Sequence, residues 1–103
     1  MNNDKILSYL GLCRKAGKLV CGTALTTDAI RHGKIVLAVT SSDASENTVK
    51  RISDGCSYRN IPYFPLPFTC ERLGKAAGKS GGIASVGVLD GNFAGMIIKS
   101  LDT

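Results

Sequence analysis

Several things are missing from this chain, and each absence narrows its function. No apolar run approaches the ~20 residues a helix needs to cross a bilayer, so a helical membrane anchor is not expected. The opening Met1-Asn2-Asn3-Asp4-Lys5 lacks the basic start and apolar stretch of a secretory signal, so a cytoplasmic chain is expected. There is no Cys-x-x-Cys, and the single His32 is not at ligand spacing from Cys13, Cys21, Cys56 or Cys70. A metal site is therefore not expected. The four cysteines read as reduced thiols that pack like small apolar residues.

The residues of catalysis are equally sparse. A lone His32 at the end of a helix reads as a capping or surface histidine. No Ser-His-Asp set is supported by a local motif, and the eight acids are scattered rather than clustered. Gly78-Lys79-Ser80-Gly81-Gly82 has the glycines of a phosphate loop but not the Walker pattern, because a strand follows it instead of a helix. The expectation is a non-catalytic protein that needs no cofactor.

What is present is positive charge in two places. The net charge is +5. Arg14, Lys15, Lys18, Arg31 and Lys34 stand against Asp28 alone, and Arg72, Lys75 and Lys79 against Glu71. The stretch 43–59 is balanced. If the two basic segments meet in space they form a patch that attracts polyanions.

The hydrophobic period alternates along the chain, with no linker or repeat. Ile6, Leu10 and Cys13 put residues 4–16 on one helix, ended by Gly17. Leu19–Cys21 is a short strand. A helix capped by Thr23 runs to His32 and Gly33. Ile35–Val39 is apolar without alternation, as in a strand buried on both faces. A turn and cap cluster, Thr40-Ser41-Ser42-Asp43, leads to a helix with Val49, Ile52 and Cys56 on one face. Ile61–Phe64 reads as a short strand, and Pro62 argues for an edge or strand-end position. Thr69 caps a helix with Cys70, Leu73 and Ala77 inward. The glycine loop leads to a strand over Ile83–Leu89. Asp90 or Asn92 opens a last helix with Ala94, Ile97, Ile98 and Leu101 inward. The order α-β-α-β-α-β-α-β-α predicts one α/β domain over residues 1–103. Its form is a three-layer α/β/α sandwich on a mixed, roughly four-stranded sheet.

Within that plan the start of the second helix stands out. Helix N-termini present free amides and partial positive charge to anions. Here the terminus follows Lys15 and Lys18, and Thr23, Thr26 and Thr27 add hydroxyls. The Lys79 loop can lie at the same end of the sheet, where open α/β sheets bind ligands.

Four motifs, in order along nearly the whole chain, carry a resemblance. They are Gly11-Leu12-Cys13-Arg14-Lys15-Ala16-Gly17-Lys18-Leu19-Val20-x-Gly22, Ser42-Asp43-Ala44-Ser45-Glu46-Asn47-Thr48, Leu73-Gly74-Lys75-Ala76-Ala77-Gly78 and Asp90-Gly91-Asn92-Phe93-Ala94. Together they resemble the YlxQ-like bacterial proteins, small relatives of the kink-turn-binding large-subunit ribosomal proteins. The resemblance implies the same sandwich. It also implies an RNA-binding face made by the start of the second helix and the loop before the last strand.

There is one departure from the family pattern. Kink-turn binders carry Gly-Thr-Asn-Glu-x-x-Lys where this chain has Gly22-Thr23-Ala24-Leu25-Thr26-Thr27-Asp28. Ala24 and Leu25 offer no side-chain hydrogen bonds, and Asp28 repels phosphate. Each lost base contact costs about 1–3 kcal/mol, so kink-turn specificity is not carried over. The RNA-binding residues expected to remain are Lys15, Lys18, Gly22, Thr23, Thr26, Thr27, Arg31, Lys79 and Ile83. The expected partner is a structured RNA, ribosomal RNA or the ribosome, bound by a monomer. The alternative is a protein-interaction module on the same fold, with an apolar patch around Ala24, Leu25 and the Ile83 loop.

Overall fold

The computed structural model describes residues 2–102. Its elements follow the predicted order: α1 (Asn3–Lys15), β1 (Leu19–Cys21), α2 (Thr23–Arg31), β2 (Leu37–Thr40), α3 (Glu46–Arg59), β3 (Tyr63–Pro65), α4 (Cys70–Ala76), β4 (Ser85–Val88) and α5 (Gly91–Leu101). The sheet is mixed and four-stranded, in the order β1-β4-β2-β3. β4 runs antiparallel to both neighbours, and β2 pairs parallel with β3. Pro62 precedes β3, which occupies an edge, where a missing amide costs no ladder bond.

Successive strand residues point to opposite faces, and each face meets its own helices. Leu37 and Val39 of β2, with Val86 and Val88 of β4, pack under α1, α4 and α5 against Ile6, Leu10, Leu73 and Ile97. Ala38 and Ile35 face α2 and α3 and meet Ala29, Ile30, Ile52 and Cys56. This is why the run shows no alternation within β2, where no face is wet, although Val36, just ahead of the strand, is exposed. All four residues of β2 are buried. Gly87 on β4 is part of the same fit, since a Cβ there would sit 2.9 Å from Ile35 Cγ2. Thr40 is buried but paired, its hydroxyl 2.7 Å from the Tyr63 hydroxyl.

Cys13 and Cys56 pack on opposite faces of the sheet. Burial pushes both thiols up to about 11, so they remain protonated at neutral pH and act as small apolar side chains.

Caps fix most helix starts. Asn2 caps α1, Ser45 caps α3, Thr69 caps α4 and Asp90 caps α5, each through its side chain. Helix α2 departs from expectation. Its cap is Gly22 rather than Thr23, and no side chain bonds its first turn. The Thr23 hydroxyl turns instead to Ser85 on β4, 3.0 Å away.

Asp43 has a role that its place in a turn cluster did not suggest. Its carboxylate accepts the Cys70 amide at 2.8 Å and so helps to cap α4 from across the chain. The facing Ser41 hydroxyl, outside good hydrogen-bond geometry, and the Cys70 amide hold the Asp43 carboxyl below its ordinary value of 3.8. A depressed carboxylate stabilises the fold above its unfolded pKa and loses that contribution as pH falls through the folded value. Wild type is therefore expected to melt at a higher temperature than Asp43→Asn at pH 7. The gap should narrow once pH drops below 3.8, as measured by circular dichroism.

Candidate functional site

One cation from each basic segment, Arg14 and Lys79, comes to the same end of the sheet. Gly22 donates its amide to the Ser85 carbonyl at 2.9 Å, tying the start of α2 to the start of β4. Its backbone sits at φ 96° and ψ 152°, a region that glycine alone adopts freely. This turn leaves the first amides of α2 uncapped by any side chain. The result is a positive helix end open to an anion.

The loop after α4 stands beside this terminus. Gly78 and Gly81 have φ of 74° and 92°, letting the chain reverse twice in a few residues. The loop is lashed to α4: Lys79 donates its amide to Gly74 at 2.8 Å, and Ile83 donates to Cys70 at 3.0 Å. Gly74 has no room for a side chain, because a Cβ there would overlap the Gly81 carbonyl oxygen. Arg14, from the last turn of α1, lies against Gly78 so closely that a Cβ at that glycine would run into its guanidinium.

Cys21 ends β1 between these parts. Burial pushes its thiol up, while Lys79 and then Arg14 pull it the other way. Both cations therefore lie within electrostatic reach of the residue that precedes Gly22. Lys79, Arg14 and the open α2 terminus thus form one positive corner.

The predicted residues divide. Gly22, Thr23, Lys79 and Ile83 come together at this corner. Ile83 is half-buried against the core, two residues ahead of Ser85. Exposed Lys15 follows Arg14 at the end of α1. Lys18 sits at the other end of β1, where its carbonyl accepts the Leu89 amide, about 10 Å along the strand from Cys21.

Thr26 is a correction. It is fully buried, because it shares the inward stripe of α2 with Ala29 and Ile30, and no ligand can reach it. Thr27 and Arg31 lie away from the corner, on the α2 side of a groove against α3.

Arg14 was missing from the expected set. Its signal was its place beside Lys15 in the first motif, but only packing against α4 brings it to the loop. Ala24 and Leu25 project from the open terminus, Leu25 at 61% exposure, so Leu25 is not a core residue. Asp28 faces His32 at 3.5 Å on the solvent side. No group of three or more His, Cys, Asp or Glu among the described residues is arranged to hold a metal ion.

The pattern of the Ribosomal protein L7Ae/L30e/S12e/Gadd45 family matches residues 4–97. The chain belongs to this family. It is 37% identical to the RNA-binding protein YlxQ of Bacillus subtilis over 102 residues, covering 99% of this chain and 100% of that one. It is also 37% identical to the RNA-binding protein YlxQ of Enterococcus faecium, covering 90% of this chain and 87% of that one. Among solved structures, a Bacillus halodurans protein of unknown function superposes with a TM-score of 0.89 at 32% identity, covering 96% of this chain and 98% of that one. A Giardia lamblia 15.5kD RNA binding protein has a TM-score of 0.77 at 14% identity, over 97% of this chain and 84% of that one. That second likeness is one of fold alone. The family assignment agrees with the resemblance read from the four motifs, and the sandwich is the fold that resemblance implied.

Proposed function

We propose that this chain is a single-domain, cytoplasmic RNA-binding protein that catalyses no reaction and takes a structured RNA, ribosomal RNA foremost, at the corner formed by α2 and the loop before β4. The observation that carries this reading is Arg14 packed against Gly78, next to Lys79, at the loop that leads to Ser85 and the helix terminus that no side chain caps. Two cations from distant segments beside free helix amides suit phosphate as a ligand. The YlxQ relatives, named for RNA binding, support the same reading. Ala24, Leu25 and Asp28 offer no polar base readers of the kink-turn type, so contacts to phosphate and sugar dominate.

The test is a titration by fluorescence anisotropy over a range of salt. The RNAs are a folded ribosomal fragment, a kink-turn RNA and a plain duplex. The expected result is binding to the folded fragment that falls steeply with salt, with no large preference for the kink-turn. A strong kink-turn preference would restore the specificity that Ala24 and Leu25 argue against. No binding at low salt by the folded protein would reject RNA altogether. The exposed Leu25 beside Ala24 favours a protein partner on this face as the second reading, and that last outcome would select it.

A further inference from the structure

A second feature lies on the other side of α2. Helices α2 and α3 enclose a groove of about 450 Å³, within the size range of small-ligand sites. Gly55 leaves its floor open above Ile30: a Cβ there would stand 3.1 Å from Ile30 Cγ2. Tyr58, at 85% exposure, lines the groove, as do Arg31, Arg51 and Arg59. Asp54 is the one acid among the lining residues, so the groove is net positive.

The three arginines have different duties. Arg59 donates a hydrogen bond to the Arg31 carbonyl and so pins the end of α2 to α3. Arg31 and Arg51 make no ion pair among the described residues. An exposed tyrosine ring that shares a groove with two guanidinium groups free of ion pairs has the chemistry to stack a base and hold its phosphate.

We propose that this groove holds an unpaired nucleotide of a bound RNA strand, its base on Tyr58 and its phosphate between Arg31 and Arg51. The inference rests on the RNA-binding reading above and adds a second contact to it. The open terminus and the groove belong to the same helix, about 12 Å apart along its axis, so one strand can reach both. Charge complementarity selects an anionic partner, and the exposed ring selects one with a flat face. A nucleotide meets both demands.

The chain has no tryptophan, so Tyr58→Trp places a single emitter in the groove. Titration with single-stranded octauridylate is expected to quench it saturably. High salt should reverse the effect, and Arg31→Glu with Arg51→Glu should abolish it. Tyr58→Ala should weaken binding of a ribosomal RNA fragment with unpaired loops roughly tenfold, the loss of one base stack, while Tyr58→Phe keeps it. Tyr58 is exposed, so these variants are expected to fold, and circular dichroism checks that they do. If octauridylate leaves the tryptophan unquenched and Tyr58→Ala binds the fragment like wild type, the groove is not a nucleotide site. RNA binding at the α2 corner would still stand. If wild type binds neither RNA, both readings fall together.

Discussion

Gly74→Ala is expected to lower stability by about 3 kcal/mol, at the upper end for overpacking, and to weaken RNA binding with it. The added methyl has nowhere to go. It would overlap the Gly81 carbonyl oxygen, and Gly82 Cα and the Ile83 amide lie 3.3 Å from the same point. These are backbone atoms and cannot rotate aside. Either α4 tilts, or the loop carrying Lys79 lifts off it and loses the bonds from Lys79 to Gly74 and from Ile83 to Cys70. Urea denaturation gives the stability change, and anisotropy gives the binding change. Gly95 is the natural control. It sits in α5, and the position a Cβ would take there has nothing within 4 Å. Gly95→Ala should therefore stabilise by up to about 1 kcal/mol through helix propensity. A harmless Gly74→Ala would mean that the loop is not braced on α4.

The second large effect concerns charge. Reversing both corner cations, Arg14→Glu with Lys79→Glu, is expected to cut affinity for structured RNA at least 100-fold. Hydrogen bonds to charged groups contribute about 1.5–3 kcal/mol each, and both partners would be lost at once. The plot of log affinity against log salt should also become shallower by about two, one per phosphate released. Stability should change little, because both side chains are exposed. Lys18→Glu serves as the comparison. Lys18 carries the same charge but sits at the far end of β1, so its reversal should cost much less than either corner cation. Equal losses from Lys18 and Lys79 would mean that net charge alone drives binding, with no corner.

Much of this architecture could be read from the residues, because the period of apolar positions changes between helix and strand. The unbroken apolar run at Ile35–Val39 announced a strand covered on both sides, and β2 is such a strand. The strand order β1-β4-β2-β3 was out of reach, since pairing between distant segments leaves no local trace. The site was half legible. Thr26 looked like a ligand group because threonine is polar, yet its spacing from Ala29 and Ile30 marks the buried stripe of α2. Thr23 looked like a cap. A glycine at positive φ can make the turn into a helix on its own, and Gly22 does so. Arg14 and the α2–α3 groove depend on which helices touch, and no local spacing encodes that.

The most direct test of the proposed corner is a two-dimensional amide spectrum of the labelled protein, recorded while a structured ribosomal RNA fragment is added. The prediction is that the amides of Gly22 to Leu25 and of Lys79 to Ile83 shift first and furthest. Lys18 and the C-terminal half of α5 should stay in place. Shifts that spare both segments while RNA binds, or that spread evenly over every exposed lysine, would contradict it.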